Sequence, residues 1–330
     1  MSTDSARFEA DPDRIAELAW TRRDALATDC WRVAADEATL AEFTEYLAGL
    51  DDPATLIDTI DRSDVDLPHL AALTERLRSQ LFGRFGFAHL VGLAAGGFSE
   101  PQLRLLYVLV CLHLGQLYTS YGRLHDVADR GLDFRTTDVS VSATRVRAPF
   151  HTDSTSQALF PNVFGLMCLR PAMSGGESLL SSACQAYQQI AETSPQHLPS
   201  LFADHPRNPV TPDGRSVTAA ENAYPIFTWD RFAPGPTLRY MRHWIETGYA
   251  QAGLTVPDRH AAAFDALDNA LEDGANVLSV AMSAGEAIFF NNALVAHNRT
   301  EFHDHPEPGR GRLLARAWLD ARSPDVTGRA

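Results

Sequence analysis

From about residue 133 onward the chain is written in short runs of β-branched and aromatic residues cut by Gly and Pro, and that texture points the larger part of the molecule to an all-β core. Strands are expected near Val139–Thr144, Asn162–Leu169, Ser178–Ser182, Val277–Met282, Ala287–Leu294 and Leu313–Leu319, with helices near Ala183–Thr193 and Thr237–Ala252 between them. Upstream the period changes. Leu67, Leu70, Leu73, Leu77 and Leu81 recur at intervals of three and four, the signature of a helix with one apolar face. Ser99 and Gln102 are spaced as a capping box, with Pro101 in the first turn, opening a helix whose apolar face runs through Leu103, Leu106, Val110 and Leu114. Gly86–Gly92 between them has the look of a short strand. The expected organisation is a helical segment, 1–84, packed on a β domain, 85–330. The stretch 204–236, rich in Pro, Gly, Asn and Asp, is either a lid over the site or an irregular crossing with a hidden strand.

Composition removes several classes of function. The formal net charge of −14 opposes binding to nucleic acid, which depends on releasing counterions from phosphates. No lysine occurs anywhere, so Schiff-base, pyridoxal-phosphate and P-loop chemistry, all of which need a lysine amine, are excluded. The apolar run Leu105–Leu112 ends at His113, far short of the roughly 20 residues of a membrane span. The acidic, polar start does not read as a secretory signal, and the four scattered cysteines suit reduced thiols. A cytoplasmic location is expected, with no membrane and no nucleic-acid partner.

The chemistry is concentrated in three short segments. His151 and Asp153 are two apart, and on an extended segment such side chains project to one side, where they can share a metal. Alone this pair is weak, because a chain with 12 His offers on the order of one such match by chance. His297, after the apolar run beginning at Ala287, would by itself be more often a core histidine than a ligand. Together the three form two imidazoles and one carboxylate, the set that presents Fe(II) with three positions open to a chelating cosubstrate and dioxygen. Arg312 and Arg316, four apart on a strand-like segment, should face the same way, and two arginines entering a buried face require anions. Those anions are either structural Asp or Glu partners or bound carboxylates, which the guanidinium fork grips in pairs of hydrogen bonds. His303-Asp304-His305 reads as a solvated loop, and Arg145 and Arg147 stay undecided between substrate and solvent.

With these residues in place, the chain resembles the iron(II)/2-oxoglutarate dioxygenases of the taurine dioxygenase and clavaminate synthase group. The likeness covers about residues 85 to 322 and rests on Phe87–Gly92, His151-Thr152-Asp153, Gly175-Gly176-Glu177-Ser178 and Asn292–Arg322. It implies a double-stranded β-helix, or cupin-like jelly roll, mainly β with flanking helices, holding the metal at one mouth. It implies His151, Asp153 and His297 as iron ligands and as the catalytic centre. Ser178 and Arg312 then hold the far carboxylate of 2-oxoglutarate, and Arg316 holds an acidic group of the substrate, with the two arginine roles open to exchange.

The reaction implied consumes O2, releases succinate and CO2, and hydroxylates an unactivated C–H bond of a small, carboxylate-bearing, amino-acid-like metabolite in a biosynthetic pathway. Desaturation, cyclisation and oxidative cleavage use the same oxidant and stay open. Halogenases of this group leave the carboxylate position empty for chloride, so Asp153 disfavours halogenation. The rivals are a non-catalytic small-molecule binding protein on the same fold and a zinc hydrolase using the same ligands, for which the paired arginines would have no purpose.

Overall fold

The computed structural model describes residues 12–120, 122–132, 141–154, 156–209, 217–229 and 235–321. In chain order the strands are β1 (Arg32–Ala34), β2 (Phe87–Val91), β3 (Gln116–Leu117), β4 (His125–Val127), β5 (Val163–Arg170), β6 (Ser174–Gly175), β7 (Ser178–Ser182) and β8 (His205–Pro206). They continue as β9 (Ala223–Tyr224), β10 (Phe227–Trp229), β11 (Pro236–Leu238), β12 (Leu278–Val280), β13 (Ala287–Asn291), β14 (Val295–Arg299), β15 (Phe302–His303) and β16 (Leu313–Asp320). The helices are α1 (Pro12–Leu18), α2 (Arg22–Leu26), α3 (Glu37–Ala48), α4 (Pro68–Leu81), α5 (Glu100–Leu114), α6 (Ala183–Thr193), α7 (Leu198–Leu201), α8 (Arg242–Gln251) and α9 (Asp258–Glu272).

A large sheet runs β1-β2-β13-β5-β16-β3, with β4 also on β16, and a small sheet runs β12-β7-β14. Apolar residues of both meet between them: Phe87, Phe164, Ile288 and Phe290 from the large sheet, and Leu180, Leu278, Val280 and Val295 from the small one. The outer face of the large sheet is covered by α3, α4 and α5. The outer face of the small sheet is covered by α6, α7 and α9, with α8 in the same core. This is the jelly roll with flanking helices; among the described residues helix, at 38%, exceeds strand, at 22%, because both outer faces carry a helical layer.

Local signals explain the helical layer. The Ser99 N–H and hydroxyl both donate to Gln102 Oε1, at 2.9 and 3.0 Å, closing the expected capping box of α5. Leu70, Leu73, Leu77 and Leu81 of α4 are all fully buried. At about 1.5–3 kcal/mol per buried leucine, that face outweighs the few tenths of a kcal/mol by which residues differ in helix propensity.

Several expected elements change. The strand placed at Val139–Thr144 is a short 3-10 turn over Val141–Ala143, and 133–140 lie outside the described residues. The run Ala287–Leu294 is not one strand: it stops at Asn291, turns, and resumes as β14, so His297 sits inside a strand rather than beyond one. The helix placed at Thr237–Ala252 starts only at Arg242, because Pro236–Leu238 pairs with Phe227–Trp229 as a strand. Helix α9 was not anticipated. Within 1–84, Arg32–Ala34 pairs in parallel with β2 and extends the large sheet, so this segment is not purely helical. The stretch 204–236 contains β8, β9 and β10, while 210–216 and 230–234 lie outside the described residues.

Candidate active site

The two histidines are brought together by backbone pairing. His151 and His297 form an antiparallel bridge in which each N–H donates to the other's carbonyl at 2.9 Å, which sets their imidazoles side by side with ring centres 4.2 Å apart. Residues directly opposite on paired strands project to the same face. Asp153 follows by two positions, and its Oδ1 lies 3.8 Å from His151 Nε2 and 3.7 Å from His297 Nε2. Among the described residues these three form the one cluster able to hold a metal, with candidate ligand atoms all within 4.8 Å of one another.

Asn292 pins the carboxylate's backbone. Its Oδ1 accepts from the Asp153 N–H at 2.8 Å, and its Nδ2 donates to the carbonyls of Asp153 and Pro161, each at 2.9 Å. That is why the apolar run breaks there: the turn between β13 and β14 delivers a fully buried amide. Thr152, between the two ligand candidates, is tied to Tyr240 through its N–H at 2.8 Å and its hydroxyl at 2.9 Å.

Protonation states suit a divalent metal. His151 Nδ1 lies 2.8 Å from the Pro149 carbonyl, so that nitrogen carries the proton and Nε2 keeps its lone pair. Burial lowers the pKa of His151, and burial together with the neighbouring His151 lowers that of His297 to about 3, so both rings are neutral at physiological pH. His297 also stacks on Phe164 and Phe290, with centres 4.7 and 5.4 Å away. Burial opposes ionisation of Asp153, yet Arg316 and the two histidines beside it and a 2.6 Å hydrogen bond from Trp318 outweigh that, and its pKa falls below the ordinary carboxylate value. Neutral imidazoles with an ionised carboxylate are the donor set for Fe(II).

The cluster opens into a pocket of about 260 Å³ that Ser178, Arg299, Arg312 and Arg316 also line. Ser178 is the first residue of β7, opposite Arg299. The preceding turn is shaped for close approach. Gly175 and Gly176 have φ of +72° and +82°, and a Cβ on Gly176 would stand 3.0 Å from Arg312 Nε. Thr300 closes the turn by accepting from the N–H groups of Gly176 and Glu177, at 2.9 and 3.1 Å, and donating to the Glu177 carboxylate.

Arg312 lies immediately before β16, its guanidinium 5.0 Å from the Phe302 ring and its backbone N–H donating to Asp304 Oδ1 at 2.6 Å. Asp304 is therefore not an idle loop residue: it fixes the chain where Arg312 enters. Among the described residues Arg312 Nη1 is buried with no hydrogen-bond partner, and burial lowers the pKa of the side chain to about 10. An unpaired buried cation costs several kcal/mol, and an anion bound beside it would remove that cost. Arg299 stands across Phe302 at 4.8 Å but donates to the carbonyls of Thr144 and Val146.

Arg316 lies within β16 in register with His125 and Leu166, its Nη1 3.6 Å from Asp153 Oδ2. A register shift at Leu313/Leu314 breaks the strand period between Arg312 and Arg316, yet both reach the same pocket. Sequence reasoning missed Trp318, Asn292 as a clamp, Thr300, and the pocket wall of His125, Met241 and Trp244. Trp318 alone had a readable signal, two positions after Arg316 on a strand.

A jelly roll with neutral imidazoles and an ionised carboxylate at one mouth, and an unpaired guanidinium behind them, defines a mononuclear iron oxygenase that uses an anionic cosubstrate. The chain belongs to the taurine catabolism dioxygenase TauD, TfdA family, whose model matches residues 50–318, and it is an Fe(II)/2-oxoglutarate-dependent dioxygenase. It is similar to FR-33289 synthase of Streptomyces rubellomurinus, with 23% identity covering 92% of this chain and 89% of that protein. It is also similar to a uridine-5'-phosphate dioxygenase of an Amycolatopsis species, with 27% identity covering 78% and 92%. Among solved structures, asparagine oxygenase in complex with Fe(II), 3-hydroxyasparagine and succinate superposes with a TM-score of 0.64 at 18% identity, covering 88% of this chain and 93% of that one. The iron complex of the non-heme iron oxygenase OrfP superposes with a TM-score of 0.63 at 17% identity, covering 91% and 97%. These two likenesses concern the fold.

Proposed function

We propose that the enzyme hydroxylates a small anionic metabolite, a carboxylate-bearing, amino-acid-like compound in the first instance, with His151, Asp153 and His297 as iron ligands and Arg312 with Ser178 as the grip on 2-oxoglutarate. The observation that carries this reading is the buried, unpartnered Arg312 Nη1 on the wall of the pocket that holds the metal cluster. Iron and 2-oxoglutarate together supply the oxidation of a C–H bond by dioxygen, with succinate and CO2 released. The protein's own part is positional. His151 and His297 offer lone pairs without having to lose a proton, and Asn292 and Trp318 hold Asp153 between them. Phe164, Leu166, Phe290 and Leu314 belong to the apolar part of the wall that keeps water from the reacting centre.

Arg316 is assigned to the anionic group of the substrate. Among the described residues the pocket wall carries three guanidinium groups, Arg299, Arg312 and Arg316, against one carboxylate, Asp153. A dianionic cosubstrate and a divalent metal cancel, so a surplus of positive charge remains for the substrate. That surplus also favours a second reading in which the anion is a phosphate, the group that the name of the Amycolatopsis relative specifies. The asparagine oxygenase and OrfP structures, solved with hydroxylated asparagine and hydroxylated arginine, support the amino-acid reading. A cytoplasmic location fits the four free cysteines, and among the described residues no helix is long and apolar enough to cross a membrane.

The test is succinate release by the Fe(II)-loaded enzyme across a panel of amino acids, N-acylated amino acids and small phosphate esters. One class should raise succinate formation above the substrate-free background and yield a product heavier by one oxygen atom. His297→Ala should remain folded and lose both iron and turnover; full activity in that variant would reject the assigned ligands.

A further inference from the structure

Among the described residues, Trp318 makes the shortest polar contact with the Asp153 carboxylate. It lies on β16 two residues after Arg316, so both side chains face the pocket. Its indole N–H donates to Asp153 Oδ2 at 2.6 Å, while Oδ1 of the same carboxylate faces His297 and His151 at 3.7 and 3.8 Å. The two oxygens are thus set apart: one points at the metal position and the other is bound to the protein. Arg316 does not do this work. At 3.6 Å from Oδ2 it makes a charge contact rather than a hydrogen bond, and its guanidinium lies 5.2 Å from the Trp318 ring.

We propose that Trp318 is a positioning residue that holds Asp153 as a one-oxygen ligand, so that the coordination position a second oxygen would take stays open to cosubstrate and dioxygen. The inference rests on the triad reading above. A carboxylate free of that bond can turn about its terminal torsion, which is broad and nearly unrestrained, and offer both oxygens. The indole N–H suits the restraint because it only donates and does not titrate, so the bond persists at any pH where Asp153 is ionised. Arg316 is left available for an anion in the pocket.

The experiment is an anaerobic titration of the whole protein with Co(II), followed by 2-oxoglutarate, reading the dissociation constant and the visible ligand-field spectrum, which responds to coordination number. Trp318→Phe keeps an aromatic ring of similar packing and removes the N–H. Loss of a hydrogen bond to a metal-bound group typically weakens metal binding about 10- to 100-fold, and a loss in that range is expected, with a changed spectrum in the 2-oxoglutarate complex. Trp318→His, which retains a ring N–H, should lie closer to the wild type than Trp318→Phe does. Wild-type affinity and spectrum in Trp318→Phe would overturn the inference while leaving the triad intact. Equal weakening in Trp318→His and Trp318→Phe would assign the effect to packing and overturn it as well. Failure of the wild-type protein itself to bind Co(II) would instead remove the triad reading on which the inference stands.

Discussion

Replacing Arg312 should damage cosubstrate binding far more than iron binding, and the structure sets the size of the effect. Among the described residues Arg312 Nη1 has no partner, and Nη2 has only a 3.4 Å contact with the Gly176 carbonyl, so two N–H groups are available to a carboxylate. Hydrogen bonds to charged groups contribute about 1.5–3 kcal/mol each. Taking the lower value for both gives about 3 kcal/mol, which at about 1.4 kcal/mol per tenfold is roughly a hundredfold rise in the KM for 2-oxoglutarate in Arg312→Ala. Arg312→Lys keeps the charge and loses the fork, so about tenfold is expected. The assay is succinate release at saturating Fe(II) with 2-oxoglutarate varied, paired with thermal unfolding with and without the cosubstrate. The ligand-free Arg312→Ala protein should be at least as stable as wild type, since it no longer buries an unpaired cation, and the stabilisation by 2-oxoglutarate should vanish. An unchanged KM would refute the reasoning and move the role to Arg316.

Asp304 accepts from the Arg312 backbone N–H, so Asp304→Ala should raise the KM for 2-oxoglutarate by about tenfold, the worth of one such bond, and leave Fe(II) affinity unchanged; equal losses for metal and cosubstrate would show general disruption instead. His205, fully buried between the Tyr249 hydroxyl and the Ser200 carbonyl, has its pKa lowered by burial to about 4. Its ordinary value is 6.5, so between those values the unfolded chain binds the extra proton: stability from this group is complete above pH 6.5 and is lost as pH falls toward about 4. Urea unfolding across that window should show a shallower loss in His205→Gln than in wild type, and identical slopes would contradict the assignment.

The parts of this molecule that were legible in the sequence are those set by local period. The buried face of α4, the capping box of α5 and the bounds of Ser178–Ser182 and Ala183–Thr193 follow from apolar spacing and capping chemistry, and the structure reproduces them. Elements decided by distant partners were not legible. Arg32–Ala34 is a strand only because β2 offers it a parallel edge, and the Ala287–Leu294 run breaks only because Asn292 must reach Asp153 and Pro161. At the site, the spacing of His151 and Asp153 announced a shared face. The pairing of His151 with His297 across the chain could not be read from either segment. Arg316 shows the same limit. The sequence required an anion for it and left open a structural or a bound one, and the structure places it beside a structural one, Asp153, on the wall of the pocket that holds the metal cluster.

The most direct test of the account is an anaerobic titration of the metal-free protein with Fe(II) and then 2-oxoglutarate, following the weak visible charge-transfer band of the iron chelate. The account predicts that iron binds at one site per chain, that the band grows in on adding 2-oxoglutarate, and that it shifts when the anionic substrate is supplied. Iron binding without the band would contradict the assignment of Arg312 and Ser178, and no iron binding would contradict the assignment of His151, Asp153 and His297.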